Sequence, residues 1–175
     1  MNAQVSTQEV VDGRRKWALY LDRIRIVSAS QDRVARDMTQ SRLMEVATVL
    51  AQVGGLVTKR DLTSKATNSD LWKAVDEYVE CWLKRRGIRS PLGLPERAYN
   101  MYPDYARPYD DRGTRFVNPK YRIFDVHHIW PETLGGPTKG WNLLPLPKHQ
   151  HLFYLHPVIN ELVRESRPGT KIRLL

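Results

Sequence analysis

The sequence contains almost no cysteine: Cys81 is the single one among its 175 residues. One thiol cannot form an intrachain disulfide or a cysteine-based zinc cluster, so histidine is left as the metal ligand to look for.

Long apolar runs are also missing, since no stretch approaches the ~20 residues of a membrane-spanning helix. No basic, apolar leader opens the sequence. We therefore expect no membrane partner and a protein that is cytoplasmic at synthesis, with any export or delivery to a target cell proceeding without a cleavable signal peptide.

Acidic residues are scarce relative to basic ones. The chain has 28 Lys and Arg against 19 Asp and Glu, which gives a net charge of +9 and a pI near 9.8. This excess favours an acidic partner, with nucleic acid first and an acidic protein second. Residues 84–122 hold ten basic and four acidic residues, and they predict a nucleic-acid path, with a solvated loop as the alternative. Basic side chains can follow a phosphate backbone while aromatic ones stack on bases. Aromatic residues interleaved with the basic ones include Tyr99, Tyr102, Tyr105, Tyr109 and Phe116.

Apolar residues recur at helical spacing in the first 90 positions and predict three amphipathic helices. The first begins at a capping box, Ser6–Glu9, and the second and third stop at Gly54-Gly55 and Gly87. Proline and glycine crowd residues 90–95, which predicts a boundary between a helical scaffold, docking or binding region and a catalytic domain. The predicted helices span residues 6–27, about 30–53 and 68–86, and the predicted domains span residues 1–90 and 91–175.

The pattern from Tyr121 onward predicts strand, loop, strand and helix. Aromatic and β-branched residues favour a strand at 121–128, and glycine and proline favour a loop at 131–137. A second short strand follows at 141–146, and Pro147 suits the first position of a helix. We expect Pro157 to end or kink that helix, before a last helix at 158–165 and a basic tail. The predicted fold class is therefore α+β, mostly helical.

All five histidines lie within Tyr121–His156, and the rest of the chain has none. Imidazoles bind metals and titrate near neutral pH. Neighbouring residues of a strand point to opposite sides, so His127 is expected to face a metal held against the helix while His128 faces the substrate, unless a twist at the strand end brings them together. Asp125 shares the side of His127, where a carboxylate can orient a ligating imidazole. Arg122 shares the side of His128, where it can meet a phosphate.

The segment resembles the HNH endonucleases, also called ββα-metal or His-Me finger nucleases. Arg122–His128, RIFDVHH, is similar to the R-[VI]-F-[ED]-x-H-H stretch of the nuclease domains of DNase-type colicins and S-type pyocins. Those domains continue with a proline, a Gly-Gly pair, an asparagine and, nine positions later, a helix histidine. The matching positions are Pro131, Gly135, Gly136, Asn142 and His151. The resemblance covers about residues 121–156 and implies a ββα-metal core behind the helical region.

The resemblance implies a role for each matching position. His127 and His151 would be metal ligands, and His128 would be the general base that deprotonates the attacking water. Asn142 would tie the loop that aims His128. Two further positions, an active-site carboxylate and an arginine near the scissile phosphate, would be Asp125 and Arg122. The implied cofactor is one divalent cation, Mg²⁺ first, with Zn²⁺, Ni²⁺ or Mn²⁺ as alternatives.

One position departs from the family pattern. Colicin-type sites place a third metal histidine four residues after the helix histidine, where this chain has Leu155. His156 is one residue further, about 500° around an α-helix from His151. It joins the ligands only if the turn before Pro157 bulges or the family alignment shifts by one residue. The alternative pair is His149 and His156, which are seven residues apart and share a helix face.

Three functions are compatible with these observations. The first is a metal-dependent endonuclease that cuts double-stranded DNA with little sequence specificity, as in an antibacterial toxin partnered by an acidic immunity protein. The second is a nuclease of the same fold that acts on RNA or structured nucleic acid. The third is a zinc-stabilised, non-catalytic module that binds nucleic acid or protein. His128 distinguishes the third from the others, because a purely structural site does not need a base beside its ligand.

Overall fold

A computed structural model describes residues 9–87, 103, 105 and 123–175 of the chain. The predicted boundary at 90–95, Ser6 of the predicted capping box, Arg122 and most of the predicted nucleic-acid path lie outside the described residues. Within these ranges helices predominate over short strands, which confirms the α+β class, and none of the helices is long and apolar enough to cross a membrane. The elements are β1 (Val10–Asp12), α1 (Arg14–Ala29), α2 (Arg33–Gln52), β2 (Leu56–Thr58), α3 (Asn68–Arg85), β3 (Phe124–His128), β4 (Leu143–Pro147), α4 (Lys148–Gln150), a π-helical turn (His151–Leu155), α5 (His156–Val163) and β5 (Lys171–Arg173).

The ends of α2 and α3 follow from their capping residues. The Asp32 carboxylate accepts a hydrogen bond of 2.8 Å from the Ala35 backbone N–H and starts α2. Thr67 and Asp70 form a capping box at the start of α3. Gly54 and Gly87, just beyond the two helices, have φ angles of 69° and 76°. This left-handed conformation favours glycine, and both helices end there as predicted.

The predicted first helix is wrong at its beginning. Residues Val10–Asp12 form β1, which pairs in parallel with β5, and α1 begins only at Arg14. The Gly13 backbone N–H donates a hydrogen bond of 2.8 Å to the Arg173 carbonyl. A Cβ atom at Gly13 would lie 2.9 Å from the Cγ2 atom of Ile172, so the close approach requires glycine. The pairing partner is far away in sequence, which is why the local apolar pattern did not reveal the strand.

The predicted basic tail contains a strand that the sequence did not predict, because Lys171–Arg173 forms β5. This strand lies in the middle of a three-stranded sheet with the order β1-β5-β2, parallel to β1 and antiparallel to β2. Ile172, at its centre, has no exposed surface. Lys171 and Arg173 flank it and are only partly buried, as expected where alternate strand residues point to opposite sides.

Two hydrophobic cores lie on opposite sides of the hairpin formed by β3 and β4. Leu143 packs into one core and Leu144 into the other, because successive strand residues point to opposite faces. The first core joins α1 to the helical segment 148–163, which we call the site helix, and the second joins α2 to α3. Both cores combine residues from the two sides of the predicted boundary. Their members include Trp17, Tyr20, Ile24, Leu155 and Ile159 in the first core, and Met38, Trp72, Val75, Val79 and Val126 in the second.

The burial of β5 predicts that its central residue contributes strongly to stability. Ile172→Ala should lower the free energy of unfolding by about 2–5 kcal/mol, because it leaves a cavity in the first core. Leu175→Ala is the control, since that side chain is 44% exposed and should cost well under about 1 kcal/mol. Urea denaturation measures both values, and equal effects of the two substitutions would contradict the placement of β5 in the core.

Candidate metal centre

Three of the five histidines meet between β3 and the site helix. His127 comes from β3, and His151 and His156 come from the first residue of the π turn and the first residue of α5. One ligand atom of each lies within 4.8 Å of the others. Their ring centroids are 4.8 Å apart for His127 and His151, 5.9 Å for His127 and His156, and 4.1 Å for His151 and His156. The three imidazoles are therefore close enough to hold one metal ion.

The π turn explains how His156 reaches the other two. In this turn the His156 backbone N–H donates to the His151 carbonyl, five residues earlier, so residues at this interval lie on the same side of the helix. The sequence predicted a bulge before Pro157 as one route for His156 to join the site, and the structure contains it. Pro157 does not end the helix, as one form of the prediction had it, but lies in the first turn of α5, where a missing N–H costs least. His149 is exposed and does not belong to the cluster.

Asp125 lies beside His151, one of the clustered histidines. Its Oδ2 atom is 3.1 Å from Nδ1 of His151, and the sequence placed it on the side of β3 where a carboxylate can orient a ligating imidazole. A carboxylate oxygen accepts this hydrogen bond, so Nδ1 of His151 carries a proton and Nε2 is the ring nitrogen left to bind a metal. Carboxylates commonly orient ligating imidazoles in this way.

Tyr20 and Arg23, on one face of α1, also contact the site. The Tyr20 hydroxyl oxygen lies 2.5 Å from Nε2 of His127. The Arg23 guanidinium donates a hydrogen bond of 2.8 Å to the Tyr154 carbonyl in the π turn and lies 4.8 Å from the centroid of the Tyr154 ring. Sequence reasoning missed both residues. The available signal was Tyr20 within an apolar helical stripe, since a buried tyrosine hydroxyl needs a hydrogen-bond partner.

Burial favours the neutral form of two of the clustered imidazoles, those of His127 and His156. Burial lowers the pKa of His127 well below 6.5, and the neighbouring His151, His156 and His128 lower it further. Burial and the proximity of His151 also lower the pKa of His156. A neutral imidazole is the form that binds a metal. The donor set, its protonation and the carboxylate behind His151 therefore fit a bound cation.

His128 lies next to the cluster but outside it. Neighbouring strand residues point to opposite sides, as the sequence predicted, so His128 is half-buried on the other face of β3 from His127. Its Nε2 atom is 3.2 Å from the Thr138 hydroxyl oxygen. Burial lowers the pKa of His128, and the Glu132 carboxylate opposes this shift. The ring is thus a neutral base near pH 7.

Asn142 holds the loop between β3 and β4 in place. Its side chain has no exposed surface. The Oδ1 atom accepts a hydrogen bond of 2.8 Å from the Trp130 backbone N–H, and Nδ2 donates to the Trp130 and Pro137 carbonyls at 2.9 and 3.0 Å. A Cβ atom at Gly136 would lie only 1.8 Å from the Trp130 carbonyl oxygen. The asparagine and this glycine therefore fix the loop that continues from His128 and carries Thr138.

The structure places most of the predicted site residues together. Three predicted ligands form the cluster, and Asp125 contacts one of them. His128 and Asn142 lie at the adjoining loop, and Arg122 lies outside the described residues. No family model matches the chain, no curated protein matches it, and no solved structure matches it. The resemblance to HNH nucleases therefore rests on the sequence motif.

The cluster predicts which histidines contribute to metal affinity. His151→Ala and His156→Ala should each weaken Zn²⁺ binding by more than about tenfold, because each removes one of three ligands and an altered supporting residue alone costs about 10- to 100-fold. His149→Ala, an exposed histidine on the same helix, should bind like the wild type. Isothermal titration calorimetry on metal-stripped protein measures the three affinities. Wild-type affinity in the His156→Ala variant would exclude His156 as a ligand.

The lowered histidine pKa values predict how the stability of the metal-free protein depends on pH. An unfolded histidine takes up a proton near pH ~6.5, whereas burial and its neighbours keep folded His127 neutral to a lower pH. The unfolded state then binds more protons, so the free energy of unfolding should fall as the pH is lowered from about 7.5 to about 5.5. Urea denaturation with chelator present measures this fall. His127→Gln should make the fall smaller, while His128 and His156 still contribute to it, and His149→Gln should leave it unchanged. A pH-independent wild type would contradict the shift.

Proposed function

We propose that this protein is a metal-dependent endonuclease that hydrolyses phosphodiester bonds of DNA with little sequence specificity. One observation carries the proposal: a fourth histidine, His128, follows a clustered histidine directly in β3 yet stays outside the cluster. A site that only stabilised the fold would use the three clustered imidazoles and would gain nothing from a neutral, half-buried base beside them. Hydrolysis uses both a cation and a base.

His127, His151 and His156 would hold one divalent cation. With three protein ligands, such a cation would have room for a phosphate oxygen and for water, and it would supply positive charge for the phosphoryl oxygens. Imidazole donors suit Zn²⁺ and Ni²⁺, whereas Mg²⁺ favours oxygen ligands. The donor set thus favours a transition metal over the Mg²⁺ that the family resemblance put first.

His128 accepts the proton of the attacking water in this proposal. When its Nε2–H donates to the Thr138 hydroxyl oxygen, Nδ1 is left with the lone pair that accepts the proton. Thr138 then acts as a positioning residue. Asn142 fixes the backbone on both sides of the loop through Trp130 and Pro137. This keeps His128 and Thr138 at a constant separation and limits the reorganisation needed for proton transfer.

The substrate follows from charge. A net charge of +9 attracts a polyanion at long range and increases its association rate. The proposal does not depend on base-specific contacts, since phosphate contacts carry no sequence information. On the family resemblance, we extend the proposal to an antibacterial toxin that an acidic immunity protein neutralises.

Cleavage of supercoiled plasmid tests the proposal. The wild-type protein should convert the plasmid to nicked and linear forms in the presence of a divalent cation, and chelator should stop the reaction. His128→Ala should reduce the rate by about 10²- to 10⁴-fold, because it removes the general base. The His128→Ala variant should retain the wild-type Zn²⁺ affinity, since His128 is not a ligand in the cluster.

His149→Ala is the matched control, because it removes an exposed histidine from the site helix and should leave the rate unchanged. Zn²⁺, Ni²⁺, Mn²⁺ and Mg²⁺ are compared in parallel, with single-stranded and structured RNA as second substrates. Cleavage of RNA alone would replace DNA as the substrate. Wild-type activity in His128→Ala, or no cleavage of either nucleic acid with any of these ions, would contradict the proposed function.

A further inference from the structure

The Tyr20 hydroxyl has one proton and more than one possible acceptor. Its oxygen lies 2.8 Å from the Ile129 carbonyl oxygen and 2.5 Å from Nε2 of His127. A carbonyl oxygen can only accept a hydrogen bond, whereas an imidazole nitrogen can either donate or accept. Tyr20 and Ile129 have no exposed surface, so water does not compete for these groups. A third acceptor, the His128 carbonyl oxygen, is more distant at 3.4 Å, so the two shorter contacts decide where the Tyr20 proton points.

Only one arrangement satisfies both contacts. If the Tyr20 proton pointed to Nε2 of His127, the hydroxyl and Ile129 carbonyl oxygens would face each other at 2.8 Å with no proton between them. If it points to the carbonyl, the hydroxyl oxygen accepts a proton from Nε2 of His127, and both hydrogen bonds form. A buried polar group without a partner destabilises the folded state, which favours the second arrangement.

We infer that Tyr20 is a positioning residue of the metal centre that places the proton of His127 on Nε2 and makes Nδ1 the ligating nitrogen. The inference rests on the metal site of the proposed function. It gives α1, which lies in the region assigned to scaffold or docking from sequence, a direct effect on metal affinity. The partner that selects a histidine tautomer selects the nitrogen that binds the metal.

His151 is arranged in the opposite way. Its Nδ1 atom faces the Asp125 carboxylate at 3.1 Å, so its lone pair is on Nε2. Two ligands of one cation would therefore bind through different ring nitrogens, each selected by a different supporting residue. A phenol supports His127 and a carboxylate supports His151. The phenol adds no charge to the fully buried side of the site, where an unpaired carboxylate would be costly.

The packing around Tyr20 makes it a rigid support. Its ring packs against Trp17, with the ring centroids 5.3 Å apart, and edge-on against His127, with the centroids 5.8 Å apart. One turn further along α1, Arg23 donates to the Tyr154 carbonyl in the π turn. The same helix face therefore contacts both sides of the cluster, through β3 and through the site helix.

Nuclear magnetic resonance of the Zn²⁺-loaded wild-type protein tests the tautomer directly. Long-range ¹H–¹⁵N correlations distinguish a ring bound through Nδ1 from one bound through Nε2, and the signals of His127 are assigned from the spectrum of His127→Gln. We expect His127 to be bound through Nδ1 with the proton on Nε2, and His151 to show the opposite pattern. Ligation of zinc through Nε2 of His127 would overturn the inference.

Tyr20→Phe tests the supporting role, because it removes the hydroxyl and keeps the ring. Zn²⁺ affinity, measured by calorimetry, should fall by about 10- to 100-fold. Tyr78→Phe is the matched control, since Tyr78 packs against the second core and should bind Zn²⁺ like the wild type. Equal affinities in the two variants would overturn the inference. Neither measurement uses nucleic acid, so a protein that binds zinc through Nδ1 but leaves DNA intact would lose the proposed function and retain this inference.

Discussion

The interval of five residues between His151 and His156 is the constraint on which the candidate metal centre depends. A regular α-helix would turn these imidazoles away from each other, and the π turn at His151–Leu155 returns them to one side. Such turns are rare and occur frequently at functional sites, so neighbouring groups have to stabilise this one. Leu155 is fully buried in the first core, and Arg23 binds the Tyr154 carbonyl. The arrangement of the cluster is thus maintained by side chains outside it.

The hairpin of β3 and β4 distributes functions between its two faces. The face that carries His127 meets α1 and the site helix, where burial lowers the pKa of His127 and of His156. The opposite face packs Val126 and Leu143 against α2 and α3 and also carries His128. The hairpin thereby places one candidate ligand, His127, and the candidate base, His128, on opposite faces, although the two residues are adjacent in sequence. Helix α1 packs on the first face, and helices α2 and α3 pack on the second.

The sequence predicted those parts of the structure that local chemistry determines. Glycine after α2 and α3 predicted the helix ends, and the order of strand, loop, strand and helix after residue 121 follows from proline, glycine and β-branched residues. The proline after His156 even indicated where the helix would bulge. Pairing between distant segments was not predictable in this way. Val10–Asp12 has a helical apolar pattern and forms a strand because of β5, and the contact of Tyr20 with His127 depends on how α1 packs against β3.

The parallel pairing of β1 with β5 has a consequence for how this protein folds. Its partners, such as Val10 and Lys171, are roughly 160 residues apart, so closing the sheet requires a very large loop, and loop closure lowers folding rates. During synthesis β1 and the start of α1 leave the ribosome long before β5 does. Gly13, which directly precedes α1, donates a backbone hydrogen bond to the Arg173 carbonyl, and α1 contacts the histidine cluster. Among the described elements β5 is synthesised after the others. We therefore expect the support of the histidine cluster to be complete only when nearly the whole described chain is available.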